Sequence, residues 1–285
     1  MKLAEARGLG RRFGEVVAVR EADLEVGAGE VVGLIGANGA GKTTLMRMLL
    51  GLLRPTEGRA LLFGEPPSIR TRRRLGYVPQ GLGLYEDLTV AENLAFAARA
   101  FGTELSSLDE DLEAVRDRLV GELPLGLRRR AAFALAVGHR PELLIVDEPT
   151  SGVGALGRAR LWDGIREAAE GGAGILVSTH SMGEAEQCDR VVVMAGGLVV
   201  AEGSTEAIVG KRQVAAVLAT EWDRAFRALD EAGIRGSLVG RTIRVPAAST
   251  DQVERALARA GVQAEVRTEQ ASFEEAFLLL SERAA

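Results

Sequence analysis

GANGAGKTT, from Gly36 to Thr44, lies between two different kinds of apolar stretch. EVVGLI before it (Glu30 to Ile35) is a short continuous run, the pattern of a buried strand. TTLMRMLLGLL after it (Thr43 to Leu53) puts Leu45, Met48, Leu49 and Leu52 on one face of a helix. A strand-to-helix joint with glycine at 36, 39 and 41 can turn tightly and bring its backbone N–H groups close to an anion. The dipole and free amides of the following helix favour negative charge at the same place. Lys42 adds an ammonium able to reach β- and γ-phosphates, and Thr43 a hydroxyl for Mg²⁺. The spacing G-x-x-x-x-G-K-[ST] is that of a loop cradling a nucleoside triphosphate. Gly36, Asn38, Gly39, Ala40, Gly41, Lys42, Thr43 and Thr44 are therefore the candidate nucleotide-binding residues.

The 285 residues are 47% hydrophobic and 26% charged, an ordinary globular balance with room for one large or two modest domains. A net charge of −5 argues against a general nucleic-acid binder. Only Lys2, Lys42 and Lys211 are lysines among 35 basic residues, so a lysine in the loop stands out. Cys188 is the single cysteine, which excludes an intrachain disulfide and fits a reducing compartment. The N-terminal MKLAEARGLGRRFG lacks the apolar core of a secretory signal, and no run approaches the roughly 18 apolar residues of a membrane span. A membrane role is therefore expected to come through a partner.

Outward from the loop, residues 1 to about 30 alternate apolar and polar, which predicts antiparallel strands. RRRLGYVPQ carries a short strand ending at Pro79-Gln80. From Thr89 to about Val137 the pattern is helical. ELLIVDEPT (Glu142 to Thr150) and GILVSTH (Gly174 to His180) are further buried strands, and VVVMAGGLVVAEG predicts a hairpin at Gly196-Gly197. Short apolar strands interleaved with helices give an α/β class with a parallel sheet covered on both faces. Near Lys211 the character changes. Residues 211–285 read strand–helix–strand–strand–helix–strand–helix, a ferredoxin-like α+β unit, with capping boxes predicted at Ser249/Gln252 and Ser272/Glu275.

Asp147 and Glu148 end one buried strand, and ligands of open α/β sheets sit at such carboxyl ends. Asp147 is the candidate Mg²⁺ holder and Glu148 the group that polarises water. His180, ending another strand, is placed to contact a γ-phosphate, and Gln80 to touch both metal and water.

Together these residues resemble the nucleotide-binding subunit of ABC transporters over residues 1 to about 210. GANGAGKTT matches the Walker A motif, and YVPQ (Tyr77 to Gln80) resembles the Q-loop. LLIVDEPT (Leu143 to Thr150) resembles the Walker B strand with its catalytic glutamate, and STH (Ser178 to His180) the H-loop. The resemblance implies a P-loop NTPase: a RecA-like core, an antiparallel β subdomain, and a helical subdomain at about 88–137. It makes Phe13 the aromatic that stacks on adenine. It implies ATP and Mg²⁺, catalysis through Glu148, His180 and Gln80, metal contacts from Thr43, Gln80 and Asp147, and a transmembrane permease partner at the cytoplasmic face of the membrane. QGLGLYEDLTVAENL, MGEAEQCDRVVVM and the tail SFEEAFLLL are similar to the subgroup that energises drug and polysaccharide exporters.

Two motifs depart from the family. The signature, usually like LSGGQ, is Leu123-Pro124-Leu125-Gly126-Leu127, and the D-loop Ser151-Gly152-Val153-Gly154 ends in glycine where aspartate is usual. In the family each ATP is sandwiched between one subunit's Walker motifs and the other's signature, so Pro124 and Gly126 would face the partner's nucleotide. Proline is tolerated at a helix start, so the helix is expected to survive. The lost hydroxyl contact is worth roughly 10- to 150-fold, less than loss of a general base at about 10²–10⁴-fold. Slowed or asymmetric hydrolysis is expected. A homodimer would weaken both sites equally, which favours a heterodimer. A weakly hydrolysing, nucleotide-sensing subunit is the alternative. A soluble relative acting on DNA or the ribosome is disfavoured by the single Walker A and the acidic charge. Of Arg128, Arg129 and Arg130, at least two are expected to be solvated, as are Arg70 and Arg72 to Arg74. His139 is expected to be a loop histidine.

Overall fold

The computed structural model describes residues 1–102 and 108–282. Residues 103–107, inside the predicted helical stretch, lie outside the described residues. Two compact units form, Met1–Glu202 and Gly203–Ala285.

The first unit opens with β1 (Lys2–Phe13), β2 (Val16–Gly27), β3 (Val31–Ile35), α1 (Lys42–Leu49), β4 (Glu57–Leu62), α2 (Ile69–Arg72) and β5 (Leu75–Val78). Next come α3 (Val90–Phe101), α4 (Glu110–Glu113) and α5 (Leu125–Val137), the expected helical region. It closes with β6 (Leu143–Asp147), α6 (Ala155–Glu170), β7 (Gly174–Thr179), α7 (Met182–Ala185), β8 (Arg190–Ala195) and β9 (Leu198–Gly203). Strands β2-β1-β4 make the predicted antiparallel sheet. The second sheet runs β5-β6-β7-β3-β8-β9, with β5, β6, β7, β3 and β8 parallel. Gly196 and Gly197 both have positive φ, as the two-residue turn between β8 and β9 requires.

Every residue of β3, β6 and β7 is buried, because both faces of the parallel sheet are covered. Val32, Leu34, Ile145 and Leu176 face α1 and the antiparallel sheet. Val31, Leu144, Val146 and Val177 face α5 and α6, with Phe133, Trp162 and Ile165. Each such side chain contributes roughly 1.5–3 kcal/mol on burial, and the alternation in these strands is between two cores, not between core and water. Helix α1 stops earlier than the apolar pattern predicts. Gly51 adopts φ +67 just past its end, the left-handed conformation that closes a helix, and Leu52 is left 58% exposed.

In the second unit α8 (Thr205–Val209) precedes β10 (Gln213–Leu218), α9 (Trp222–Glu231), β11 (Ser237–Val239), β12 (Thr242–Val245), α10 (Thr250–Arg259), β13 (Glu265–Gln270) and α11 (Phe273–Glu282). The sheet order is β11-β12-β10-β13, antiparallel throughout, which is the ferredoxin-like arrangement. Ala215, Val217, Ile243 and Val245 pack on Ala225, Leu229, Val253 and Leu257 of α9 and α10. Arg244 on β12 bonds both Glu275 oxygens (2.6 and 3.0 Å) and Glu269 (2.5 Å). Among the described residues no helix is long and apolar enough to cross a membrane.

Candidate functional site

Four adjacent parallel strands, β5-β6-β7-β3, deliver the candidate residues at their carboxyl ends. Gln80 follows β5, Asp147 ends β6 with Glu148 next after it, Ser178 and Thr179 end β7 with His180 next after them, and the glycine-rich loop follows β3. The loop is pressed against the start of β2. At Gly41, with φ +103, a Cβ would come within 2.5 Å of the Ala18 carbonyl, so only glycine fits. Ala40 N–H closes the turn onto Ala37 O, and Gly39 also has positive φ. Asn38 lies in the turn and Thr44 in the first turn of α1.

Lys42 is 5% exposed, and its Nζ donates to the carbonyls of Gly36 (2.7 Å) and Ala37 (3.2 Å). It lies 3.6 Å from Glu148 Oε1. Thr43 Oγ1 donates to Asp147 Oδ2 at 2.8 Å, and Ser178 Oγ donates to Asp147 Oδ1 at 2.5 Å. Glu148 has φ +49, a left-handed conformation that costs a non-glycine residue about 1–3 kcal/mol. Its backbone is held on both sides: N–H donates to Ser178 Oγ (3.0 Å), and the carbonyl accepts from Arg129 Nη1 (2.7 Å). His180 Nδ1 is 3.5 Å from Glu148 Oε1, and its side chain is half exposed. Lys42, Thr43, Asp147, Glu148 and His180 therefore converge. Gln80 makes no hydrogen bond to this group among the described residues. Phe13 stands 47% exposed at the end of β1, with the Arg11 guanidinium 4.5 Å over its ring.

The oxygen donors fit Mg²⁺. Thr43 and Asp147 offer one hydroxyl and one carboxylate, and Mg²⁺ prefers oxygen, keeps several waters and shares itself with phosphate. No group of three or more His, Cys, Asp or Glu side chains makes a self-sufficient metal cage among the described residues. Cys188, its thiol pushed up to about 12 mainly by burial, is poorly suited to chemistry at neutral pH.

Pro124 is the N-cap of α5, and its carbonyl accepts from Leu127 N and Arg128 N, so the helix starts normally with Gly126 in its first turn. Gly154 occupies the N-cap of α6 without a side-chain cap. The expectation for the arginines after the signature fails. Arg128 bonds the carbonyls of Leu123 and Gly121 and pairs with Glu86, and Arg130 bridges Asp109 and Asp111. Arg129 is buried, with its pKa pulled down by burial against the opposing charge of Glu148. None of the three is simply solvated, because α5 turns all of them toward protein. The upstream run is mixed: Arg70 is exposed beside Glu65, whereas Arg74 grips Glu142 through two bonds and covers Phe63. His139 stacks on Phe101 (3.7 Å, 9°) and contacts Leu75 O, and burial lowers its pKa.

Sequence reasoning missed two supports of the site. Arg129 carried a legible signal: it precedes Ala132, Phe133 and Ala136 by three, four and seven residues, on the buried stripe of α5. Glu184 carried none. It is 2% exposed and ties Thr150 after β6 to Thr179 before His180.

Comparison with known proteins gives the family. The ABC transporter family profile matches residues 19–151. The probable multidrug ABC transporter ATP-binding protein YbhF of Escherichia coli (strain K12) is 39% identical over 214 residues, 71% of this chain. The chain spans only 37% of YbhF's length. The Nod factor export ATP-binding protein I of Burkholderia lata is 40% identical over 216 residues, 71% of each protein. A solved structure of an ATP binding subunit of an ABC transporter superposes with a TM-score of 0.66 at 27% identity, covering 90% of this chain and 99% of that one. The 40% identity across 71% of both this chain and the Burkholderia lata protein, on a shared fold, means that this chain belongs to the ATP-binding proteins of ABC transporters.

Proposed function

We propose that this chain is an ATPase subunit that energises a separate transmembrane exporter, working in a dimer of ATP-binding subunits at the cytoplasmic face of the membrane. The observation that carries this reading is the convergence of Lys42, Thr43, Asp147, Glu148 and His180 at one sheet edge. Lys42 and the amides of residues 36–44 hold the β- and γ-phosphates of the substrate ATP. Thr43 and Asp147, joined by Gln80, would hold Mg²⁺, which neutralises phosphate charge when bound. Glu148 takes a proton from the attacking water on its Oε1 as the bond to the γ-phosphorus forms and the bond to the departing ADP oxygen breaks. His180 steadies the terminal phosphate beside it. Phe13 offers an exposed ring for adenine.

The relatives' names support export; the transported molecule is chosen by the membrane partner. Pro124 preserves the helix start, which supports Gly126 facing the nucleotide of a second subunit. Because a homodimer would carry Pro124 and Gly154 into both sites, a heterodimer is the arrangement we favour. The weakly hydrolysing alternative is not favoured, since Glu148 and His180 are both in place.

The test is steady-state ATP hydrolysis by the purified chain and its Glu148→Gln and Pro124→Ser variants. Turnover in wild type that Glu148→Gln lowers by about 10²–10⁴-fold supports the reading. Equal turnover in wild type and Glu148→Gln overturns it. Pro124→Ser is expected to raise the rate by up to the roughly 10- to 150-fold worth of one charge-assisted hydrogen bond.

A further inference from the structure

Arg129 places a cation where a packing helix would ordinarily bury a hydrocarbon. It is 7% exposed on the stripe of α5 that faces the sheet. Its neighbours Arg128 and Arg130 both find carboxylates. Arg129 finds none within ion-pair distance among the described residues, and its Nε, also buried, has no hydrogen-bond partner. Its one side-chain hydrogen bond among the described residues runs from Nη1 to the Glu148 carbonyl, 2.7 Å away. A buried, incompletely satisfied charge is costly, and an apolar side chain of similar volume would often pack there at least as well. Packing therefore does not account for the guanidinium, and the bond it makes is the remaining explanation.

That bond lands on a residue that needs holding. Glu148 sits at φ +49, and such a conformation persists only where its surroundings over-determine it. Ser178 Oγ accepts the Glu148 N–H from the β7 side, and Arg129 donates to the carbonyl from the α5 side. Between these two bonds the side chain is aimed so that Oε1 lies 3.6 Å from Lys42 Nζ and 3.5 Å from His180 Nδ1. The same helix begins at Pro124 and carries Gly126 in its first turn.

We propose that Arg129 is a positioning residue for the Glu148 carboxylate, and that through it the aim of that carboxylate depends on where helix α5 sits. This rests on Glu148 being the group that activates water. Arg129 touches neither nucleotide nor water; it acts through the backbone of Glu148.

The experiment compares the full-length chain with Arg129→Met, Arg129→Lys, Glu148→Gln and the Arg129→Met/Glu148→Gln double variant. It reads kcat, KM for ATP, binding of a fluorescent ATP analogue, thermal midpoint and hydrogen exchange across residues 143–151. Arg129→Met should lower kcat about 10- to 100-fold, the worth of one hydrogen bond from a charged donor. KM and analogue affinity should stay within about twofold and the midpoint within a few degrees, while exchange near residue 148 rises about tenfold or more. Arg129→Lys, which keeps the charge but not the reach, should fall between. In the Glu148→Gln background the second substitution should change residual turnover less than about twofold, because coupled residues do not add. Unchanged kcat with unchanged exchange overturns the proposal, as does a fall in kcat matched by equal losses in affinity and midpoint. If Arg129→Met does not fold, Arg129→Lys decides by the same criteria. If Glu148→Gln turns over like an active wild type, the reading of Glu148 fails and this proposal falls with it; where the chain alone is silent, hydrogen exchange near residue 148 decides, and no rise in Arg129→Met overturns the proposal. If Glu148→Gln is silent while Arg129→Met is fully active, the present proposal alone fails.

Discussion

Replacing Ser178 by alanine removes one oxygen and breaks two bonds at once. Ser178 is 0% exposed, and its Oγ donates to Asp147 Oδ1 (2.5 Å) while accepting the Glu148 N–H (3.0 Å). The first is a hydrogen bond to a charged group, worth about 1.5–3 kcal/mol. Losing the second orphans a buried N–H, which costs about 1–3 kcal/mol. The two share an atom, so their sum is an upper bound. Asp147 also keeps Thr43 on its other oxygen, which limits the damage. A net loss of about 2–4 kcal/mol follows. In a unit of the size of Met1–Glu202 each kcal/mol moves the midpoint roughly 2–4 °C, so the drop should be about 5–15 °C. The assay is thermal unfolding of the full chain followed by circular dichroism, with the larger unit's transition tracked separately if two appear. Ser178→Cys, whose thiol is a weak donor and acceptor, should fall between. A midpoint within about 2 °C of wild type for Ser178→Ala would refute the bond geometry at the end of β7.

Other substitutions probe different parts of the chain. Gly154→Asp should raise the midpoint slightly, by the few tenths of a kcal/mol separating glycine from aspartate at an N-cap. An added Cβ there meets nothing within 4 Å, so a lower midpoint in thermal unfolding would contradict the cap assignment. In the second unit, burial pushes Glu275 up, but hydrogen bonds from Arg244 and the Ser272 N–H outweigh it and hold the carboxyl below its ordinary 4.5. A lowered folded value stabilises above the ordinary one and is lost as pH falls below 4.5 through the folded value. Acid unfolding of this unit should therefore be steeper in wild type than in Arg244→Met, which should also cost about 1–3 kcal/mol at neutral pH before screening. Parallel acid limbs for the two proteins would count against the Arg244–Glu275 pair.

The parts of the fold that were legible in the chain were those written in local pattern. EVVGLI, LLIVDEPT and GILVSTH announce buried strands because both faces of the sheet are covered. Capping boxes at Ser249/Gln252 and Ser272/Glu275 mark helix starts with a side-chain oxygen three residues from its target. The end of α1 was misjudged because leucine spacing continued past Gly51, and a left-handed glycine outweighs periodicity. Lys42, Thr43, Asp147, Glu148 and His180 could be brought together on paper because each lies at or just beyond the carboxyl end of a parallel strand, Lys42 and Thr43 by way of the loop after β3. What could not be read were bonds between residues far apart in sequence. Arg129 to Glu148, Ser178 to Asp147 and Glu184 to Thr150 are fixed by which helix or strand lies beside which. A run of three arginines looks like solvent-facing charge until α5 is given a direction.

The left-handed backbone at Glu148 also sets a hazard for anyone who evolves this protein. Glycine adopts φ +49 without penalty, and asparagine tolerates it better than glutamate does. A library selected for heat resistance alone would therefore be drawn toward glycine or asparagine at position 148. It would recover sturdier chains without the carboxylate to which we assign the activation of water, a loss that no melting curve would register.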